Sequence, residues 1–204
     1  MIKECYEIKR ISYHEAMKIV IEKHYLHRKA PCSFAFGLID KFTLQIKGVI
    51  CYGTPSSAPL RSGICGNEEK NNVIELTRLW VDDDVGKNGE SYLIGNTIKL
   101  VDKEIIVSYA EIQQGHKGIV YQATNWVYTG LSAKRSNWSL DGVSLHCQTL
   151  ADKYTSKEIR EIFGDKFSLT DRPRKHRYVY FNCKSKRKKE LLSKLKYKIL
   201  PYPK

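Results

Sequence analysis

The sequence predicts an α/β fold: a mixed, mainly antiparallel central sheet flanked by helices and followed by a basic C-terminal extension. Three observations carry that reading. Residues 73–131 alternate strand, loop, helix, strand, helix, strand, an order that places helices on the faces of a mixed sheet. Ahead of them, two strand-like runs at 33–39 and 44–52 are joined by a turn at Asp40-Lys41, the pattern of an antiparallel pair. The charge is also segregated. The net charge is +13, and residues 172–204 hold thirteen Lys or Arg against one acid, Glu190. With 42% apolar residues in 204 positions, the chain can bury one ordinary core, and nothing linker-like divides it. One domain over 1–204 is expected, with 172–204 as its basic segment.

Taken in order, residues 6–11 alternate as a first strand. Ser12, with Glu15 three residues on, forms a capping-box pattern. A helix then runs to about Lys23 or His27, and Pro31 closes the region. Residues 53–59 form a loop rich in Gly, Pro and Ser. Residues 73–81 are a strong strand. A polar loop, Asp82-Asp83-Asp84-Val85-Gly86-Lys87-Asn88-Gly89, leads into a helix from Glu90 to about Val101. The β-branched run 105–110 is a buried strand. A short helix is expected at 118–125, strands at 126–131 and 142–147, a helix at 156–163 with Ser156 as its cap, a strand at 177–182 and a basic helix at 185–196.

No run of about 18 apolar residues exists, which excludes a spanning helix, and the first residues lack the apolar run of a signal peptide. The protein is expected to stay where it is made. Cys5, Cys32, Cys51, Cys65, Cys147 and Cys183 are scattered without a Cys-x-x-Cys pair and read as reduced thiols. The basic segment, interleaved with Tyr178, Tyr180, Phe181 and Tyr197, points to a polyanion. Arg172, Arg174, Lys175, Arg177, Lys186, Arg187 and Lys188 are the candidate DNA contacts.

Two regions carry candidate chemistry. The strand–loop–helix unit at 73–99 presents free N–H groups at a helix start, with Gly86, Gly89 and Ser91 in the turn; Asp82, Asp83 and Asp84 would repel a pyrophosphate there. Residues 108–130 concentrate Glu111, His116, Tyr121, Asn125, Trp126 and Tyr128 around glycines just after a buried strand, where α/β sheets meet their ligands. Glu111 is placed to accept a proton and His116 or Tyr121 to donate one. Trp126 and Tyr128 are candidates to stack on a base. Arg78, mid-strand among apolar neighbours, needs an anionic partner or substrate. His24 and His27 share a helical face, but two histidines make a poor metal site.

Glu75-Leu76-Thr77-Arg78-Leu79, Glu90-Ser91-Tyr92 and Ser108-Tyr109-Ala110, followed by Gly115-His116-x-Gly118-x-x-Tyr121-Gln122-Ala123-x-Asn125-Trp126, resemble the Mom family of phage DNA-modification proteins. The likeness is clearest over residues 20–131. It implies a divergent GNAT-like fold and a transferase, acting in the host cytoplasm, that converts adenine in double-stranded DNA to the N6-carbamoylmethyl derivative and shields phage DNA from restriction. It implies functional roles for Arg78, Ser91, Glu111 and Tyr121. His24 and Tyr25 match a His-Tyr pair that the family links to iron. His24, Tyr25, His116, Asn125, Trp126 and Tyr128 are the expected substrate wall. The donor is expected to be an activated glycyl unit such as glycyl-tRNA, or an acyl-coenzyme A. Two alternatives stand beside this: a GNAT N-acetyltransferase acting on a small amine or protein, and a non-catalytic DNA-binding protein.

Overall fold

The computed structural model describes residues 2–143, 150, 151 and 153–204. A single turn α1 (Ile2–Cys5) leads into β1 (Tyr6–Arg10) and α2 (Tyr13–Lys23). Next come β2 (Phe34–Asp40), β3 (Ile46–Gly53), α3 (Ala58–Cys65), β4 (Val73–Val81), α4 (Gly89–Thr97) and β5 (Ile105–Glu111). The remaining elements are α5 (Ile119–Ala123), β6 (Val127–Leu131), β7 (Arg135–Leu140), α6 (Ser156–Phe163), β8 (Phe167–Arg172), β9 (Lys175–Phe181) and α7 (Ser185–Lys194).

Seven strands form one sheet in the order β1-β2-β3-β4-β5-β9-β6, while β7 and β8 make a separate two-stranded ribbon. Among the described residues only the β4–β5 pairing of the sheet is parallel, so the expected mixed, mainly antiparallel sheet is present. One face packs Ile50, Tyr52, Leu76, Leu93, Ile106, Tyr121, Trp126 and Tyr178 into the main core. On the other face α2 covers Ala35, Val49 and Cys51. Beside it, a cluster from α3 and α7 covers Val73, Val107 and Val179. Among the described residues no helix is long and apolar enough to cross a membrane.

Local chemistry explains the boundaries. The Ser12–Glu15 capping box forms in full. The β2–β3 turn is longer than expected because Asp40 accepts from the N–H groups of Phe42 and Thr43, an Asx arrangement that carries the chain through Lys41 and beyond. Helix α3 begins at the end of the loop expected over 53–59 and runs on through residues for which no element was expected; Ser57 caps it and Pro59 occupies its first turn, a legible helix start. Thr155, not Ser156, caps α6, in a second capping box with Glu158. Gly142 lies in a turn and Val143 forms an isolated bridge to Leu140, and the rest of the strand expected at 142–147, with Cys147, lies outside the described residues. The ribbon β7–β8 was not expected; together with Leu140, Leu150 and Ile159 it forms a small core of its own.

The basic C-terminal segment is not an appendage. Strand β9 sits inside the sheet between β5 and β6. Arg187 and Lys194 of α7 bind the buried Glu69 at 2.7 and 3.1 Å.

Candidate active site

Strands β4 and β5 pair only over residues 73–75 and 105–107. Beyond that point they separate, and a cleft of about 540 Å³ opens between them. Its walls come from β4, the 108–110 end of β5, the 115–121 loop and α5, and the residues just after α2. A parallel pair that splays apart leaves backbone and side chains unpaired at the strands' C-terminal ends, where sheet proteins place their ligands.

A bulge in β4 sets the cleft's chemistry. Cys51 of β3 opposes Arg78 and Tyr52 opposes Leu76, so Thr77 is the extra residue. In an unbroken strand, positions 75 and 78 would point to opposite faces. The bulge restores both to one face. Thr77 Oγ1 is fixed against the carbonyls of Pro31 and Cys51 at 2.9 and 3.2 Å.

Glu75 and Arg78 are therefore neighbours in the cleft. Burial pushes the Glu75 carboxyl up to about 7, against the opposing pull of Lys175 and Arg78. Arg78 donates to the carbonyls of Thr77, Lys29 and Arg28 at 2.7, 3.2 and 3.4 Å, and its Nε is buried without a partner among the described residues. Burial lowers the pKa of its guanidinium. Carbonyls orient a guanidinium but do not cancel its charge, so Arg78 keeps a positive field in the cleft.

Strand β5 supplies the other wall. Glu111 lies directly opposite Lys175 of β9, and its Oε2 accepts from Lys175 Nζ and from the Tyr25 hydroxyl, both at 3.2 Å. Burial and Glu111 together raise the pKa of Tyr25. The ring of Tyr25 stacks on His24 at 4.4 Å and meets His116 edge-on at 5.8 Å. Deeper in, the Ser108 hydroxyl lies 2.8 Å from the Tyr121 hydroxyl and 3.0 Å from the Leu76 carbonyl. Burial pushes Tyr121 up to about 12. Gly118, with φ at +75°, begins α5; a Cβ there would sit 2.4 Å from the Tyr178 ring, so only glycine lets this turn close on the core.

The structure sorts the expected residues. His24, Tyr25, Arg78, His116 and Tyr121 line the cleft, and Glu111 braces it through Tyr25 and Lys175. Ser91 does not line it: its hydroxyl donates to the Asn88 carbonyl at 3.1 Å and steadies the turn into α4. Trp126 is fully buried between Tyr121 and Tyr180, and Tyr128 is a core residue bonded to His176 Nδ1. Neither lines the cleft: Trp126, just before β6, and Tyr128, within it, both point into the core. Asn125 occupies an exposed left-handed turn, with φ at 61°. The aromatic side chains lining the cleft include Tyr25, Trp80, Tyr109, His116 and Tyr121 instead. Glu75 escaped the sequence reading, although a carboxylate inside an otherwise apolar strand signals either a partner or a task.

Iron does not fit at His24. Its Nδ1 accepts from the Leu26 N–H at 3.1 Å, which puts the ring proton on Nε2 and leaves no free lone pair for a metal. Burial and the nearby Arg78 lower its pKa to about 4. Among the described residues no group of three His, Cys, Asp or Glu side chains is arranged to hold a metal.

The basic candidates divide as well. Arg177 is buried, donates to Thr129 and lies 3.4 Å over the Tyr197 ring. Arg187 is engaged by Glu69, Glu104 and Glu190. Arg174 donates to the carbonyls of Ser132 and Leu131. These three serve the fold first. Arg172 and Lys186 are exposed, Lys188 partly so.

Known proteins similar to this chain fall into one sequence family and a set of solved structures. The chain matches the Mom protein family over residues 5–204. It is 29% identical over 205 residues to the methylcarbamoylase Mom of Escherichia phage Mu, covering 97% of this chain and 83% of that protein. Among solved structures it is similar to a ribosomal-protein-S5-alanine acetyltransferase from Vibrio fischeri, at 13% identity and a TM-score of 0.48, over 87% of this chain and 93% of that one. It is also similar to a Bacillus subtilis acetyltransferase in complex with CoA, at 14% identity and a TM-score of 0.43, over 86% and 98% of the two chains.

Proposed function

The chain belongs to the Mom protein family, and from that premise we propose that it is a phage DNA-modification transferase converting adenine to N6-carbamoylmethyladenine. The product would shield phage DNA from restriction in the host cytoplasm. The observation that carries the chemical reading is the Glu75–Arg78 pair, a buried base and an uncancelled cation side by side in an open cleft.

Adenine N6 is a weak nucleophile, since its lone pair is delocalised into the ring, and in a duplex it is also paired. The base must leave the stack. The cleft has the size of a small-molecule site, and Tyr25 and His116 offer it aromatic edges. As N6 attacks the donor carbonyl, Glu75 takes the N6 proton. A base with a pKa near the working pH suits that step. Arg78, aimed by three backbone carbonyls, stabilises the oxyanion that forms on the donor. Glu111 holds Tyr25 and Lys175 in place. Tyr121 and Ser108 floor the pocket and orient the purine.

The donor is an acyl group on an ester or thioester carrier. The carbamoylmethyl group and the N6 that bears it together have the atoms of glycinamide. A glycyl ester such as glycyl-tRNA supplies the two carbons, the oxygen and one nitrogen, and adenine N6 is the other. N6 displaces the carrier hydroxyl, forming an amide. The glycyl amine then attacks C6, the C6–N6 bond breaks, and the former N6 ends as the terminal amide nitrogen. An acetyl group alone lacks the second nitrogen, so acetyl-coenzyme A requires an added nitrogen source. The acidic run Asp82-Asp83-Asp84 before α4 favours a donor without a pyrophosphate there, although Lys47 offsets Asp82 and Asp84 at 3.3 Å each.

The test supplies purified protein with duplex DNA and each donor in turn, then analyses nucleosides by mass. N6-carbamoylmethyladenine formed from the glycyl ester supports the full reading. Product from acetyl-coenzyme A with no amino-acid source overturns the glycyl step. Acetylation of small amines, with DNA left unmodified, overturns the DNA reading.

A further inference from the structure

A second groove, of about 790 Å³, runs beside the cleft. Its lining includes Arg28, Arg135, Arg172, Lys175 and Arg177, with Glu75 as the one acid among the described lining residues. The groove and the cleft share Glu75, Tyr109 and Lys175. They therefore meet at the proposed base.

The cations are unevenly committed. Lys175 binds Glu111, and Arg177 binds Thr129. Arg135 and Arg172 are different. They lie directly opposite one another in the β7–β8 ribbon, both are exposed, and no carboxylate among the described residues pairs with either. Opposed like charges destabilise a two-stranded ribbon. A ribbon that keeps two guanidiniums face to face at the mouth of a basic groove has the makings of a phosphate clamp, since guanidinium binds phosphate oxygens in a bidentate fork.

We propose that this groove seats the sugar–phosphate backbone of the DNA strand carrying the target adenine, with Arg135 and Arg172 gripping one or two of its phosphates. The choice of DNA as the polyanion rests on the adenine-modification reading. Backbone held there sets the flipped base at the junction with the cleft, in reach of Glu75, while the donor enters from the α4 side. The ribbon then acts as an arm along the duplex, and the electrostatic contact lies at the base of that arm rather than along α7.

The experiment measures binding of unmodified duplex DNA, with no donor present, across a salt series. Wild type is compared with Arg135→Gln/Arg172→Gln and with a control of equal charge change, Lys18→Gln/Lys99→Gln, whose lysines are exposed outside both grooves. The arginine pair is expected to weaken binding at least tenfold and to lower the salt slope by about 2, one unit per lost phosphate contact. The control is expected to leave the slope unchanged. An unchanged or raised melting temperature for the arginine variant shows that the ribbon still folds. Equal loss in the control, or no change in the arginine variant, overturns the proposal. Retained DNA binding with lost tRNA binding overturns DNA as the occupant. None of these readouts depends on catalysis, so absence of modified nucleoside would count against the modification reading without deciding the groove.

Discussion

Glu75 and Arg78 face the same side of β4, although an unbroken strand would turn them apart, because Thr77 is bulged out between Cys51 and Tyr52 of the neighbouring strand. That single extra residue brings a carboxyl held near neutrality beside an arginine whose charge is not cancelled. The account of the site begins from this pair.

Glu75→Gln removes the base and keeps the shape. The modification rate is expected to fall by about 10²–10⁴. For wild type, kcat/KM rises with pH through about 7 as Glu75 loses its proton, then levels. A pH–rate profile of both proteins checks this. A step near 7 that persists in the variant assigns the ionisation elsewhere.

The same group predicts a stability effect. Its pKa is raised from 4.5 to about 7 on folding, so the native state binds the proton more tightly than the unfolded chain. The contribution is fully present below pH 4.5 and is lost as pH rises through about 7. Between pH 4.5 and pH 8, wild type is expected to lose about 2–3 kcal/mol relative to Glu75→Gln. Urea unfolding at both pH values measures it; parallel curves for the two proteins contradict the burial argument.

Glu111→Gln separates support from chemistry. The amide still accepts from Tyr25 but loses the charge pair with Lys175. KM is expected to rise more than kcat falls, and the ionisation near pH 7 is expected to remain. Steady-state kinetics across pH decide it: loss of that ionisation would make Glu111 the proton acceptor.

Trp126 is a core residue on this account. Trp126→Ala is expected to cost about 3–5 kcal/mol of stability, whereas Trp126→Phe keeps most activity per folded molecule. Paired unfolding and activity measurements distinguish this from a base-stacking role, which would lose activity first.

Much of the fold was legible because its signals are local. The Ser12–Glu15 capping box, the apolar runs of β4 and β5 and the Gly118 turn act within a few residues. The splay of β4 from β5 was not, since it depends on where pairing stops. Trp126 and Tyr128 sit in a motif dense with polar groups, yet the entry to β6 turns both to the core; periodicity over five residues is too short to fix which face they take. Glu75 was visible as a charge in a strand, but its place on the same face as Arg78 required the bulge. The C-terminal charge was counted correctly and located only in part: Arg177 and Arg187 are held by internal partners, and β9 is woven into the sheet.

The most direct test is mass analysis of nucleosides from the DNA of cells expressing either wild type or Glu75→Gln, with both proteins folded and abundant. N6-carbamoylmethyladenine with wild type, and its loss with Glu75→Gln, is the predicted result. Unmodified adenine with wild type, or equal product with both, would contradict the account.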